Sequence, residues 1–161
     1  MEDNERKANR VMSKSLKETL SADIKSAMRS GEKKKLAALR LISAAIKQYE
    51  VDNRVELDAD QDIELLNRMA KQRREAISQF EKAKRADLVA NERFELEIIE
   101  SYLPEQLTRE EIENLIKNAI HECDATSPKD MGRVMNMMRS SVRGRADMGA
   151  VSIRVKELLQ P

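Results

Sequence analysis

The sequence predicts an all-α protein, and three observations carry that prediction. Ala, Leu, Met, Glu, Lys and Arg dominate the chain, and aromatic residues make up only 2% of it. That composition suits helices packed on aliphatic side chains and leaves little for a sheet. Apolar residues recur at helical spacing over most of the length, and the four glycines and three prolines fall largely between or at the edges of those runs. The expected architecture is an N-terminal bundle of about four helices over residues 13–103, followed by a small three-helix domain over residues 104–161. Residues 1–12 are polar, lack helical periodicity and read as a disordered leader.

Ser15 opens the first helix, Leu16, Leu20, Ile24, Ala27 and Met28 mark its apolar stripe, and Gly31 stops it. The second helix, about Glu32 to Glu50, carries Leu36, Leu39, Ile42 and Ile46, with Ala37, Ala38, Ala44 and Ala45 permitting close helix approach. Both helices are basic: from Ser13 to Gln48 nine Lys and Arg stand against three acids. Asp52-Asn53 then favours a turn, and Asp58 or Asp60 caps a third helix with Asp62 in its first turn. Ile63, Leu66, Ala70, Arg73, Ile77 and Phe80 repeat at steps of three and four, a packing seam interrupted by a guanidinium. An unpaired charge there is costly, so Arg73 must snorkel, pair with a carboxylate or face a ligand. Arg40 raises the same question, and with Arg73 and Arg74 it forms a possible second site. The fourth helix, about Asp87 to Tyr102, turns Phe94, Ile98, Ile99 and Tyr102 inward. Its acidic exposed face of Glu92, Glu95, Glu97 and Glu100 offers partners for Arg73 and Arg74. Leu103-Pro104 ends it.

Thr108 and Glu111 form a capping box that starts the fifth helix, which runs to about Glu122 with Ile112, Leu115, Ile116, Ala119 and Ile120 inward. Ser127-Pro128-Lys129-Asp130 starts the sixth, with Met131, Val134, Met135, Met138 and Val142 on one face. The seventh, from about Met148, shows Val151, Val155, Leu158 and Leu159. Met131, Met135 and Met138 read as packing residues, whereas Met137 and Met148 are better placed as adaptable exposed contacts. Charge is asymmetric within this part. Pro104 to Asp124 holds six acids and two bases, and Lys129 to Gln160 holds seven bases and three acids.

Between the last two helices lies Arg143-Gly144-Arg145-Ala146-Asp147-Met148-Gly149. Gly144 suits a left-handed helix stop, Asp147 suits a cap on the backbone N–H of Gly149 or Ala150, and Gly149 suits tight packing. Arg143 and Arg145, flanking a glycine beside a helix N-terminus, suit phosphate binding. A capped turn and a phosphate contact both remain open from these residues. With the Asp147 carboxylate at the helix end, a phosphate would meet the arginines more than the helix amides.

Enzymatic constellations are not assembled by this sequence. His121 and Cys123, the only His and Cys, match no standard zinc spacing, and no phosphate-cradling glycine loop or nucleophilic triad is present. No metal or cofactor is expected. Net charge is only +1, so any polyanion argument rests on charge distribution. The lone cysteine, the absence of a membrane-length apolar run and the lack of a targeting pattern lead to an expectation of a cytoplasmic protein.

Several of these residues together resemble the GatB/YqeY family. They are Ser101-Tyr102-Leu103-Pro104, Asp130-Met131-Gly132-Arg133-Val134-Met135, Gly144-Arg145-Ala146-Asp147, Val151-Ser152 and Val155-Lys156. Leu39-Arg40-Leu41-Ile42 with Lys47, and Lys71-Gln72-Arg73-Arg74-Glu75-Ala76-Ile77 with Phe80, are similar to the family's N-terminal helical region. The resemblance covers about Met12 to Leu159. It implies a C-terminal domain similar to the tail of the B subunit of the tRNA-dependent amidotransferase, which contacts tRNA while catalysis occurs in other domains and subunits. No segment here corresponds to those catalytic parts.

The resemblance therefore implies a stand-alone tRNA- or RNA-binding accessory module. Arg143, Arg145, Arg139, Arg133 and Lys156 are its candidate phosphate contacts, and the scarcity of aromatics favours recognition of shape and backbone. A protein interaction adaptor docking on a translation enzyme is the alternative. A carbon–nitrogen ligase activity with glutamine as amido donor is the third reading, and it lacks catalytic residues.

Overall fold

The computed structural model describes residues 15–161, and the expected leader at residues 1–12 lies outside the described residues. The protein is all-α: the described residues hold seven α-helices, one short 3-10 turn and no strand. They divide into two compact units, one ending at Pro104 and the other Glu105–Pro161. None of the helices among the described residues is long and apolar enough to cross a membrane.

Helix α1 (Leu16–Ser30) is capped by the Ser15 hydroxyl, which accepts the Glu18 N–H at 3.3 Å. It ends at Gly31, whose φ of +71° is a left-handed conformation that glycine adopts without a Cβ clash. Helix α2 (Lys33–Asn53) buries Ala38, Leu39, Ile42 and Ile46. It overruns the turn expected at Asp52-Asn53 because those side chains support the helix instead. Gln48 donates to the Asp52 carboxylate at 2.8 Å, one helical turn on, and Asn53 donates to the Tyr49 carbonyl at 2.8 Å. Arg54, at φ +53°, terminates it.

Helix α3 (Ala59–Lys82) begins with a capping box between Asp58 and Gln61. It forms a hairpin with α4 (Ala86–Glu100) through a three-residue link, where Lys84 sits at φ +54°. Leu65, Leu66, Ala70, Ile99, Tyr102 and Leu103 join the buried faces of α1 and α2 in one core. Arg73 pairs across the hairpin with Glu95 at 2.8 Å and Glu92 at 3.1 Å, and Arg74 pairs with Glu100 at 2.9 Å. This corrects the expected acidic exposed face of α4. The side chains of Glu92 and Glu95 are only 14% and 17% exposed because they turn toward Arg73, leaving Glu97 as the exposed member.

The second unit builds its own core. Helix α5 (Arg109–Glu122) starts at the Thr108/Glu111 capping box, and a 3-10 turn at Pro128–Asp130 leads into α6 (Met131–Val142). Helix α7 (Met148–Leu159) completes it. Ile116, Ala119, Val134, Met138, Val142, Val151, Val155 and Leu159 are buried together. Met148 packs against this cluster, so of the two methionines expected as exposed contacts only Met137, 44% exposed, is one.

Candidate nucleic-acid interface

The turn between α6 and α7 is held by the protein's own backbone and side chains. Helix α6 ends at Arg143, and Gly144 takes φ +72°, a geometry an L side chain adopts only at a cost of about 1–2 kcal/mol. The N–H groups of Arg145 and Ala146 return to the Val142 carbonyl at 2.9 and 3.2 Å. Asp147 caps α7 by accepting the Gly149 N–H at 3.1 Å. Gly149 is not needed for close packing, contrary to the reading of it as a contact glycine. It is exposed, and a Cβ there would meet only the Asp147 carboxylate at an ordinary 3.5 Å.

The segment entering α5 is stitched along this turn. The Leu107 N–H donates to the Arg145 carbonyl at 2.7 Å, and the Gln106 side chain donates to the Gly144 carbonyl at 2.8 Å. Arg145 reciprocates, its Nε donating to the Glu105 carbonyl at 3.0 Å. One edge of this guanidinium is therefore structural, which fixes its plane, while its terminal nitrogens make no hydrogen bond among the described residues. Arg143 is half-buried and engaged within the protein.

The other candidate cations divide by their partners. Arg133 is held by Asp130 at 2.6 Å. The Asp130 carboxyl is pushed down to about 2 by the Thr126 backbone N–H, Arg133 and the Ser127 N–H. That carboxylate pins the turn before α6, so Arg133 is committed locally. Arg139 on α6 and Lys156 on α7 are exposed and make no ion pair among the described residues. Arg154 did not stand out in the sequence, yet it ties two helices of this unit together. Its guanidinium donates to both Glu113 oxygens at 2.8 and 2.7 Å and to Glu157 at 2.9 Å, joining α7 to α5. A partner 41 residues away leaves no local pattern to find.

The possible second site separates into two parts. Arg73 and Arg74 are consumed by the α3–α4 ion pairs, whereas Arg40 is exposed and its guanidinium lies 3.9 Å from the Met28 sulfur. No group of three or more His, Cys, Asp or Glu among the described residues is arranged to hold a metal. Cys123 is half-buried, with its sulfur 3.7 Å from that of Met137.

The helical fold and this turn define a two-unit α-protein whose C-terminal unit carries a pre-formed, arginine-bearing helix junction. The family described as Yqey-like protein matches residues 17–159, and the chain belongs to that family. It is similar to the "Altered inheritance of mitochondria protein 41, mitochondrial" of Pyrenophora tritici-repentis, with 32% identity over 143 residues, 87% of this chain and 78% of the relative. The proteins of the same name from Eremothecium gossypii and Lachancea thermotolerans are 35% and 30% identical. The matches span 52% and 68% of this chain, but only 46% and 60% of those relatives. These names overturn the cytoplasmic expectation, since each relative is named as a mitochondrial protein. That expectation rested on the lone cysteine, the absence of a membrane-length apolar run and the lack of a targeting pattern, none of which fixes where a chain acts.

Proposed function

We infer that this protein is a stand-alone RNA-binding accessory module, with tRNA as its ligand, gripping phosphate backbone with its C-terminal unit. The observation that carries the reading is the orientation of Arg145. Its Nε is tied to the Glu105 carbonyl, so its remaining donors are presented without the entropy cost of ordering a free arginine. Arg139 and Lys156 add exposed cations on the flanking helices. Arg133, neutralised by Asp130, contributes least, and Arg143 is half-buried and already engaged within the protein. The resemblance of this unit to the amidotransferase tail supports tRNA over other RNAs. With two Tyr, two Phe and no Trp in the chain, base stacking is a minor part of recognition.

Titration of the full chain against total tRNA at two salt concentrations tests this reading, with organellar tRNA in the panel because of the relatives' names. Three phosphate contacts predict an affinity loss of about fortyfold between 50 and 200 mM salt. No binding at the lower salt overturns the reading.

A further inference from the structure

Helix α2 has an outer face that no other element among the described residues of its unit covers. Opposite the buried Ala38, Leu39, Ile42 and Ile46, the residues Ala37, Leu41, Ala44, Gln48 and Val51 are exposed, Leu41 at 50% and Val51 at 73%. Their spacing alternates four, three, four, three, the a/d register of a helix that packs lengthwise on another helix. In that register Leu41 and Gln48 are a positions, and Ala37, Ala44 and Val51 are d positions. Lys33, Arg40 and Lys47 then fall at every g position of the helix, and Arg54 follows at the same seven-residue interval. All four are exposed, and none has a carboxylate partner among the described residues. A shallow groove continues the line past the helix end, lined by Lys47, Val51, Arg54 and Val55 with Glu50 and Glu56. Arg54 takes a left-handed φ of +53° there, where glycine would cost less.

We propose that the outer face of α2 is the docking site for an amphipathic helix of another protein, whose apolar seam packs on Leu41, Val51 and the alanines and whose flanking positions are acidic. Single exposed apolar residues need no explanation, but here they keep heptad register over the helix with an unbroken row of unpaired cations on one flank. That row selects the partner's charge. A second copy fits poorly. Antiparallel pairing sets cations against cations, and parallel pairing sets them against Ala38, Ala45 and Asp52, a single acid. A nucleic acid would satisfy the cations but leave the intervening Leu41 and Val51 without a use, since neither can stack on a base.

The test uses the full chain and two synthetic helical peptides about three heptads long with leucine at a and d, one flanked by glutamate and the other by lysine. The glutamate peptide is expected to bind at least about tenfold more tightly than the lysine peptide. Combined Lys33→Glu, Arg40→Glu and Lys47→Glu substitutions should invert that preference, and Leu41→Asp with Val51→Asp should weaken the preferred peptide by about tenfold or more. Circular dichroism checks the fold of each variant. If charge reversal unfolds the chain, glutamine at the same three positions should abolish the discrimination. Failure of both peptides to bind, or binding indifferent to peptide charge, overturns the proposal. So does loss of tRNA binding in the charge-reversed chain without any peptide binding, which would make the face a nucleic-acid surface.

Discussion

The Tyr102 hydroxyl donates a hydrogen bond to the Asp23 carboxylate, joining the chain just past α4 to the middle of α1 across 79 residues of sequence. Tyr102 is 9% exposed, so its ring closes the core while its hydroxyl reaches a charged acceptor at the edge. Tyr102→Phe is predicted to cost about 2 kcal/mol, since it removes a bond to a charged group and leaves Asp23 without its donor. A lowered denaturant midpoint with unchanged slope is the expected readout. Burial and the Asp23 carboxylate push the phenol up from its ordinary value of 10.0. The native state therefore holds this proton more tightly than the unfolded chain. The contribution should be fully present below about pH 10 and lost only as pH rises further.

Arg73 sits at an apolar seam position and is tolerated because Glu92 and Glu95 enclose it. Arg73→Ala leaves two largely covered carboxylates facing each other, with an expected loss of about 3 kcal/mol. Adding Glu92→Gln and Glu95→Gln to that variant should recover part of the loss, because the stranded charges are then gone. Thermal unfolding of the single and triple variants measures the difference; equal stability would show that the pairing contributes no net charge compensation.

Asp62, in the first turn of α3, carries a carboxyl pushed up to about 6 by burial and by the charges of Asp58 and Glu50. Between its ordinary value of 3.8 and about 6 the folded protein binds more protons at this group than the unfolded chain. Its contribution therefore falls as pH rises through that window, and the penalty is complete above it. The group is half-buried and lies at a helix N-terminus that favours a negative charge, so both solvent and the helix dipole reduce the penalty to about 1 kcal/mol. Asp62→Asn is predicted to stabilise the protein by that amount at pH 8 and to have no effect below about pH 4. Urea titrations at the two pH values decide it.

The helical class and most helix limits were legible because they rest on local chemistry. Ser15, Asp58, Thr108 and Asp147 cap where their side chains can reach an N–H, and Gly31 stops α1 in the conformation glycine favours. Asp52-Asn53 misled because residues with turn preference were recruited into i,i+4 contacts on an already formed helix. The site was legible only in part. The glycine and aspartate of the turn follow from backbone rules, but no local pattern discloses that Arg145 reaches a carbonyl 40 residues away or that Arg154 binds Glu113. The cations at Lys33, Arg40, Lys47 and Arg54 do have a sequence signal in their seven-residue period. Their meaning emerges only when the structure shows which face of α2 is already buried.

The salt dependence of tRNA binding by the full chain, compared with that of the Arg139→Ala, Lys156→Ala double variant, probes whether the C-terminal unit grips phosphate. Both residues are exposed and make no ion pair among the described residues, so the fold should persist. Binding by the native chain should weaken steeply with salt, and the double variant should bind more weakly with a log–log slope shallower by about two. Identical slopes and affinities for the two proteins would contradict the assignment of the C-terminal unit as the phosphate-binding surface.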